Sequence, residues 1–159
     1  EIAFFGGSFT AINRNYMMGL LEVAYRFVKS GDVKGIRIST RPDAIDEEIL
    51  TLLQEYNVTA IELGAQTFNN HVLKMNNRGH TAKDIETASK MIKKYGFELG
   101  LQIMTGLYAD DNESLERSVN KIIDINDKFD YNEYIGDNKV LNCKITYEGI
   151  CKNCLEKEN

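Results

Sequence analysis

The sequence predicts an α/β chain of about four repeated β-α units with parallel strands. Two observations lead there. Short apolar bursts alternate with stretches whose apolar residues recur at helical spacing. Each burst ends in glycine or a small polar residue, the punctuation of a strand-to-helix turn. Alternation of this kind implies right-handed helical crossovers. An open doubly wound sheet and part of a (β/α) barrel both fit. In either, the informative residues stand just after each strand.

The elements follow in order. Residues 2–5 read as a buried strand, closed by Gly6 and Gly7. Residues 13–29 read as a helix, with Leu20, Leu21, Val23, Ala24, Phe27 and Val28 at helical spacing and Gly31–Asp32 as its stop. Residues 35–39 form the second strand. The single proline, Pro42, drives Arg41 out of helical geometry and makes "STRPD" an exit loop. Residues 46–56 form a helix with Ile49, Leu50, Leu52 and Leu53 inward. Residues 59–63 form the third strand and 69–75 a short helix. Thr81 with Asp84 three residues on is close to a capping box, opening a helix that runs to Tyr95 and stops at Gly96. Residues 97–104 form the fourth strand, and a last helix spans about 111–126.

Composition narrows the function classes. The chain has 159 residues, 43% hydrophobic and 27% charged, enough for one domain with a core. A net charge of −5 disfavours a broad nucleic-acid surface. No apolar run approaches the roughly 20 residues of a membrane span, and no signal peptide precedes the first strand. The three cysteines, Cys143, Cys151 and Cys154, are too few and too clustered for a secreted disulfide framework, so a cytoplasmic setting is expected. The chain lacks an initiator Met and starts inside a strand, so it reads as part of a longer protein.

The strand exits carry the candidate site. They are Gly6-Gly7-Ser8, Ser39-Thr40-Arg41, Gly64-Ala65-Gln66 following Glu62, and Met104-Thr105-Gly106-Leu107 following Gln102. Strand-to-helix turns favour Gly, Ser and Thr on their own, but four such exits on one edge favour a ligand crevice. The glycine pair is not G-x-G-x-x-G and has no P-loop lysine, which disfavours nicotinamide and Walker-type nucleotides. Bare Gly-Gly backbone suits a small zwitterion, whose ammonium seeks carbonyls and whose carboxylate seeks N–H or charged donors. His80 reads as a capping-region residue, His71 as a solvated helix residue, and Met17 and Met18 as core or near-core. Glu62 is open between a site role and an ion pair across the strands.

"FFGGSFTAI", "ISTRPDAID", "ELGAQTFNNHVLKMNNRGHT" and "GLQIMTGL" together resemble radical S-adenosylmethionine (SAM) enzymes. The branch they resemble is that of the elongator catalytic subunit and the oxygen-independent coproporphyrinogen dehydrogenase, over about residues 1–126. The resemblance implies a partial (β/α) barrel. It implies that Gly6, Gly7 and Ser8 hold the methionyl ammonium of SAM. Gln66 and Arg78 match a pair that contacts its ribose and carboxylate, and Gln102 stands where relatives place a ribose-contacting aspartate. Ser39 stands where the porphyrin-pathway relatives place a glutamate, and Met104 to Leu107, Gly106 included, match the segment beside adenine. In the family a 4Fe-4S cluster on C-x3-C-x2-C reduces SAM, which releases a hydrogen-abstracting 5′-deoxyadenosyl radical. That cysteine motif does not occur in this sequence. The resemblance therefore implies part of a SAM pocket without cluster ligands, and no turnover by this chain alone. The substrate would be a transfer RNA uridine in one branch and a small-molecule propionate in the other.

After about residue 130 the β/α rhythm stops. "KVLNCKITYEGICKNC" alternates and closes on C-x2-C, and resembles the end of ferric-uptake-regulator and peroxide-regulator proteins. That resemblance implies that Cys151 and Cys154 are half of a four-cysteine zinc site, with Cys143 as a third ligand at most. Three free thiols are the plainer alternative. The expected division is 1–130 for the partial barrel and 131–159 for a β-type tail, the junction falling between about residues 126 and 139. A zinc-dependent dimerisation or regulatory module is the competing function. Self-association is expected through the strand edge at residues 2–5 or through the tail.

Overall fold

The computed structural model describes residues 1–127 and two short strands at 134–135 and 138–139. Strands β1 (Ile2–Phe4), β2 (Ile36–Thr40), β3 (Val58–Gln66) and β4 (Glu98–Ile103) form one sheet. Their spatial order is β1-β2-β3-β4 and every neighbouring pair is parallel. Helices α1 (Arg14–Lys29), α2 (Glu47–Glu55), α3 (Asn70–Met75), α4 (Ala82–Lys94) and α5 (Asn112–Asp127) follow the strands. β5 (Tyr134–Ile135) and β6 (Asn138–Lys139) are a separate antiparallel pair.

The strand order decides between the two architectures that the sequence left open. A doubly wound sheet reverses direction at a switch point. Among the described strands there is no reversal, and the core cluster draws on α1, α2 and α4 against one face of the sheet. This is the winding of a (β/α) barrel. Met17, Leu21, Leu50, Leu53 and Ile92 close over Ile36, Ile38, Ile61 and Leu63, all essentially buried. Each such side chain contributes roughly 1.5–3 kcal/mol by leaving water.

Each helix begins where the sequence supplies an acceptor for its free N–H groups. Asn13 Oδ1 accepts from the Asn15 and Tyr16 amides, Asp46 Oδ1 from the Ile49 amide, and Asn69 Oδ1 from the His71 and Val72 amides. Thr81 and Asp84 form a full capping box. The expected helix starts at 13, 46 and 69 are these cap residues. Gly96, at φ +83°, ends the turn after α4.

The opposite face is polar. In register across the parallel strands, Arg37, Glu62 and Glu98 point to the same side. Arg37 donates to Glu62 at 2.6 Å, Glu1 at 3.2 Å and Glu98 at 3.2 Å. Partial burial works against the Arg37 charge, but the bonds to Glu62, Glu1 and Glu98 outweigh it and raise the guanidinium above its ordinary value. The Arg37 hydrogen bond holds the Glu1 carboxyl below the usual range. Glu62 thus forms an ion pair with Arg37.

Two expectations need correction. The third strand does not stop at residue 63. It continues through Gly64 and Ala65 to Gln66, because β3 keeps pairing with β4 past an irregularity in register between Leu63 and Gln66. Ser39 and Thr40 likewise lie inside β2, both buried. On α1, Val23 and Phe27 are 53% and 48% exposed. The apolar positions of that helix span a wider arc than the sheet covers, and Met17, Leu21 and Ala24 take the inner line.

Candidate functional site

The first exit is built by a reversal. Gly6 and Gly7 have φ of +132° and +72°, which favour glycine. The turn brings Phe9 back so that its ring stacks on Phe4, 4.8 Å between centroids. A Cβ built on either glycine meets nothing within 4 Å. Backbone conformation therefore requires the glycines, and open space lies over the main chain. Phe5, one residue before them, is 72% exposed.

The second exit is tied to the first by hydroxyls. Thr40 Oγ1 accepts from the Thr10 amide at 3.3 Å and shares a 2.6 Å bond with Thr10 Oγ1, which also donates to the Ala44 carbonyl. Beyond it, Arg41 grips the Asp43 carboxylate through two bonds of 2.8 Å.

The third exit is strained. Gln66 has φ +66°, and the Thr67 amide donates to the Ala65 carbonyl at 2.8 Å, closing a three-residue turn. A γ-turn around a positive φ is the rarer class, and such backbone costs of order 1–3 kcal/mol. Two further bonds hold it. His80 Nε2 lies 3.2 Å from the same Ala65 carbonyl, and the Met104 amide donates to the Gln66 carbonyl at 2.9 Å. The Gln66 amide nitrogen sits 3.0 Å from where a Cβ on Gly64 would be. Gln66 Oε1 is buried and has no hydrogen-bond partner. An orphaned acceptor of this kind is costly unless something else supplies a donor.

The fourth exit completes the group. Gln102, next to last in β4, is exposed, as are Met104, Thr105 and Gly106, the glycine at φ +73°. Arg78 is exposed and reaches across from the segment after α3, its Nη2 3.6 Å from Met104 Sδ. The structure thus brings Gln66, Arg78 and Met104 together at adjacent exits. Gly6, Gly7 and Ser8 stand at the edge strand β1, and Ser39 is buried inside β2.

Sequence reasoning gave no role to Thr10 or Phe5, named Thr40 only as part of the second exit, and read His80 as a capping-region residue. Strand alternation was a signal for Phe5: if Phe4 packs inward, Phe5 faces the other way. Nothing local marks His80, whose burial comes from tertiary packing.

Away from the exits, a cleft of about 310 Å³ lies between α3, α4 and α5, lined by Phe68, Asn69, Ala82, Glu86, Arg117 and Lys121 among others. Its buried hydroxyls are used: Ser118 Oγ accepts from the Phe68 amide and bonds Thr67, and Ser114 Oγ accepts from Asn69. No orphan donor or acceptor marks it, so the strand exits are the stronger candidate. Among the described residues no group of three His, Cys, Asp or Glu side chains stands ready to hold a metal ion. Cys143, Cys151 and Cys154 lie outside the described residues.

The family model of the Radical SAM superfamily matches residues 1–122. The chain belongs to the radical SAM superfamily. Proteins of this family use SAM and a 4Fe-4S cluster. The heme chaperone HemW of Bacillus subtilis is 30% identical over 122 residues, 76% of this chain and 32% of that protein. A tRNA uridine(34) acetyltransferase of Methanocaldococcus jannaschii is 31% identical over 87 residues, 55% of this chain and 16% of that protein. Among solved structures, archaeal Methanocaldococcus infernus Elp3 matches with a TM-score of 0.67 at 24% identity, over 76% of this chain and 32% of that one. Coproporphyrinogen III oxidase HemN from Escherichia coli, a radical SAM enzyme, matches with a TM-score of 0.65 at 20% identity, over 77% and 29%. The four β-α units are therefore a partial radical SAM (β/α) barrel. The chain spans about a third or less of the length of these relatives. No helix among the described residues is long and apolar enough to cross a membrane.

The exits fit a zwitterionic nucleoside. They offer open space beside two glycines, an orphaned amide oxygen, an exposed guanidinium and exposed apolar groups at Phe5 and Met104. The described residues do not fit an iron-sulfur cluster, since they include no cysteine.

Proposed function

We propose that this chain contributes the SAM-binding strand exits of a radical SAM enzyme, with cluster ligands supplied by residues outside this sequence. The observation that carries it is the buried, partnerless Gln66 Oε1, held in a strained turn beside an exposed arginine. Gly6 and Gly7 present carbonyls to the methionyl ammonium, with Ser8 beside them. Arg78 binds the carboxylate, for which its planar fork is suited. Gln66 and Gln102 bond the ribose hydroxyls, Ser39 supports the second exit, and Met104 to Gly106 flank the adenine. When bound and reduced by a cluster, SAM supplies a hydrogen-abstracting radical. The residues here bind and orient it.

The reading carries further proposals. Residues 1–130 form the SAM-binding unit and 131–159 a separate tail. The relatives' names point to a tRNA uridine or a heme-related small molecule as the substrate class, and the sparse cysteines suit a cytoplasmic setting. Zinc-dependent dimerisation through Cys151 and Cys154 rests on sequence alone. Equilibrium dialysis with zinc, on native chain and a Cys151→Ser/Cys154→Ser variant, tests it.

The decisive experiment is SAM titration by calorimetry. Arg78→Ala is expected to weaken binding about tenfold, the worth of one charge-assisted contact. The melting temperature should hold, because the side chain is exposed. Undiminished affinity would sink the assignment.

A further inference from the structure

We propose that His80 is a positioning residue that holds Gln66 and Arg78 in their binding geometry, an inference that rests on the SAM reading above. His80 is 6% exposed, although it lies between a surface loop and a helix cap. A carbonyl oxygen only accepts, so Nε2 carries the hydrogen in its 3.2 Å bond to Ala65. A buried histidine bonded to backbone is most often a packing residue. Here the choice of oxygen argues for more.

The Ala65 carbonyl also accepts from the Thr67 amide, and that bond closes the turn around Gln66. Two donors on one carbonyl fix the plane of the peptide between residues 65 and 66. The next peptide is fixed by the Met104 amide on the Gln66 carbonyl. Both peptides flanking a residue at φ +66° are thus pinned from outside the turn, one by His80. Such a conformation persists only where its surroundings over-determine it. The same bond anchors the chain from Arg78 to His80 onto the exit of β3. Anchored there, Arg78 extends to Met104 at the exit of β4. One histidine, together with the Leu73 carbonyl that accepts from the Arg78 amide at 2.9 Å, therefore orders both an orphaned acceptor and a cation that share no backbone element.

The test uses the full chain, SAM as the only probe, and two substitutions. His80→Leu keeps bulk and removes the donor. His80→Gln places an amide N–H near the position of Nε2. His80→Leu is expected to weaken SAM binding about tenfold, roughly 1.4 kcal/mol. Without ligand it should also speed hydrogen exchange of the Thr67 and Met104 amides relative to that of Ile61. His80→Gln should restore affinity to within about threefold of native and restore slow exchange, since it restores the bond. Native exchange at Thr67 and Met104 in folded His80→Leu overturns the proposal. So does a His80→Gln variant that behaves like His80→Leu, because shape would then matter and the bond would not. If His80→Leu does not fold, His80→Gln against native decides: a tenfold loss overturns the inference. If the native chain binds no SAM, the proposed function fails, and the exchange comparison still decides the role of His80.

Discussion

A side chain at Gly100 would have to displace the end of a neighbouring one. A Cβ there would run into the carboxylate of Glu62 on the neighbouring strand, the group that binds Arg37. Gly100→Ala should lower stability by about 0.5–1 kcal/mol, the worth of a part-exposed ion pair that the displaced carboxylate loses. Glu62→Ala in the same chain removes the clash, so a urea-melt cycle over the two changes should be non-additive. Gly6 and Gln66 stand out in the sequence by type and position at a strand end, and Arg78, which follows α3, only through the family resemblance. Their conformations were not legible. The φ of Gln66 and its orphaned oxygen depend on pairing with β4, and His80 looked like a cap neighbour because Thr81 follows it. An ion pair for Glu62 was one of the two readings the sequence left open, but Arg37 as its partner was not legible, since strand register sets it and spacing along the chain does not.

The helices were legible through their ends. Asn13, Asp46, Asn69 and Thr81 are side chains that accept from free amides, and each begins a helix. Thr81→Ala should cost about 1 kcal/mol, read as a fall in thermal midpoint. The box also sets a pH dependence. The Thr81 side-chain hydroxyl, then its amide, hold the Asp84 carboxyl below its ordinary value. A folded-state value below the unfolded one adds stability that is present above the unfolded value and fades as pH falls through the folded one. Stability measured from neutral pH down into the acid carboxylate range should therefore drop, and Asp84→Asn should remove that share of the slope. Which part of the apolar face of α1 is covered was not legible, because apolar residues at 20, 21, 23, 24, 27 and 28 spread over an arc of roughly 160°, wider than the sheet covers. Only the sheet chooses Leu21 and Ala24 over Val23 and Phe27.

At the scale of the molecule, the alternation of strand and helix announced a parallel α/β architecture, and the order of strands separated barrel from doubly wound sheet. Order is a property of tertiary pairing, so periodicity left it open. The polar face carries a further consequence. Arg37 bridges partners 36, 25 and 61 residues away along the chain, from ahead of β1, from β3 and from β4 respectively. Such a junction cannot exist until all four strands have met. It belongs to the last moments of assembly and not to its nucleus, as contacts of long separation tend to. Arg37→Met should leave the refolding rate of a stopped-flow trace unchanged and hasten unfolding. The guanidinium would then act as a latch on the assembled sheet, governing how long the fold lasts and not how fast it forms.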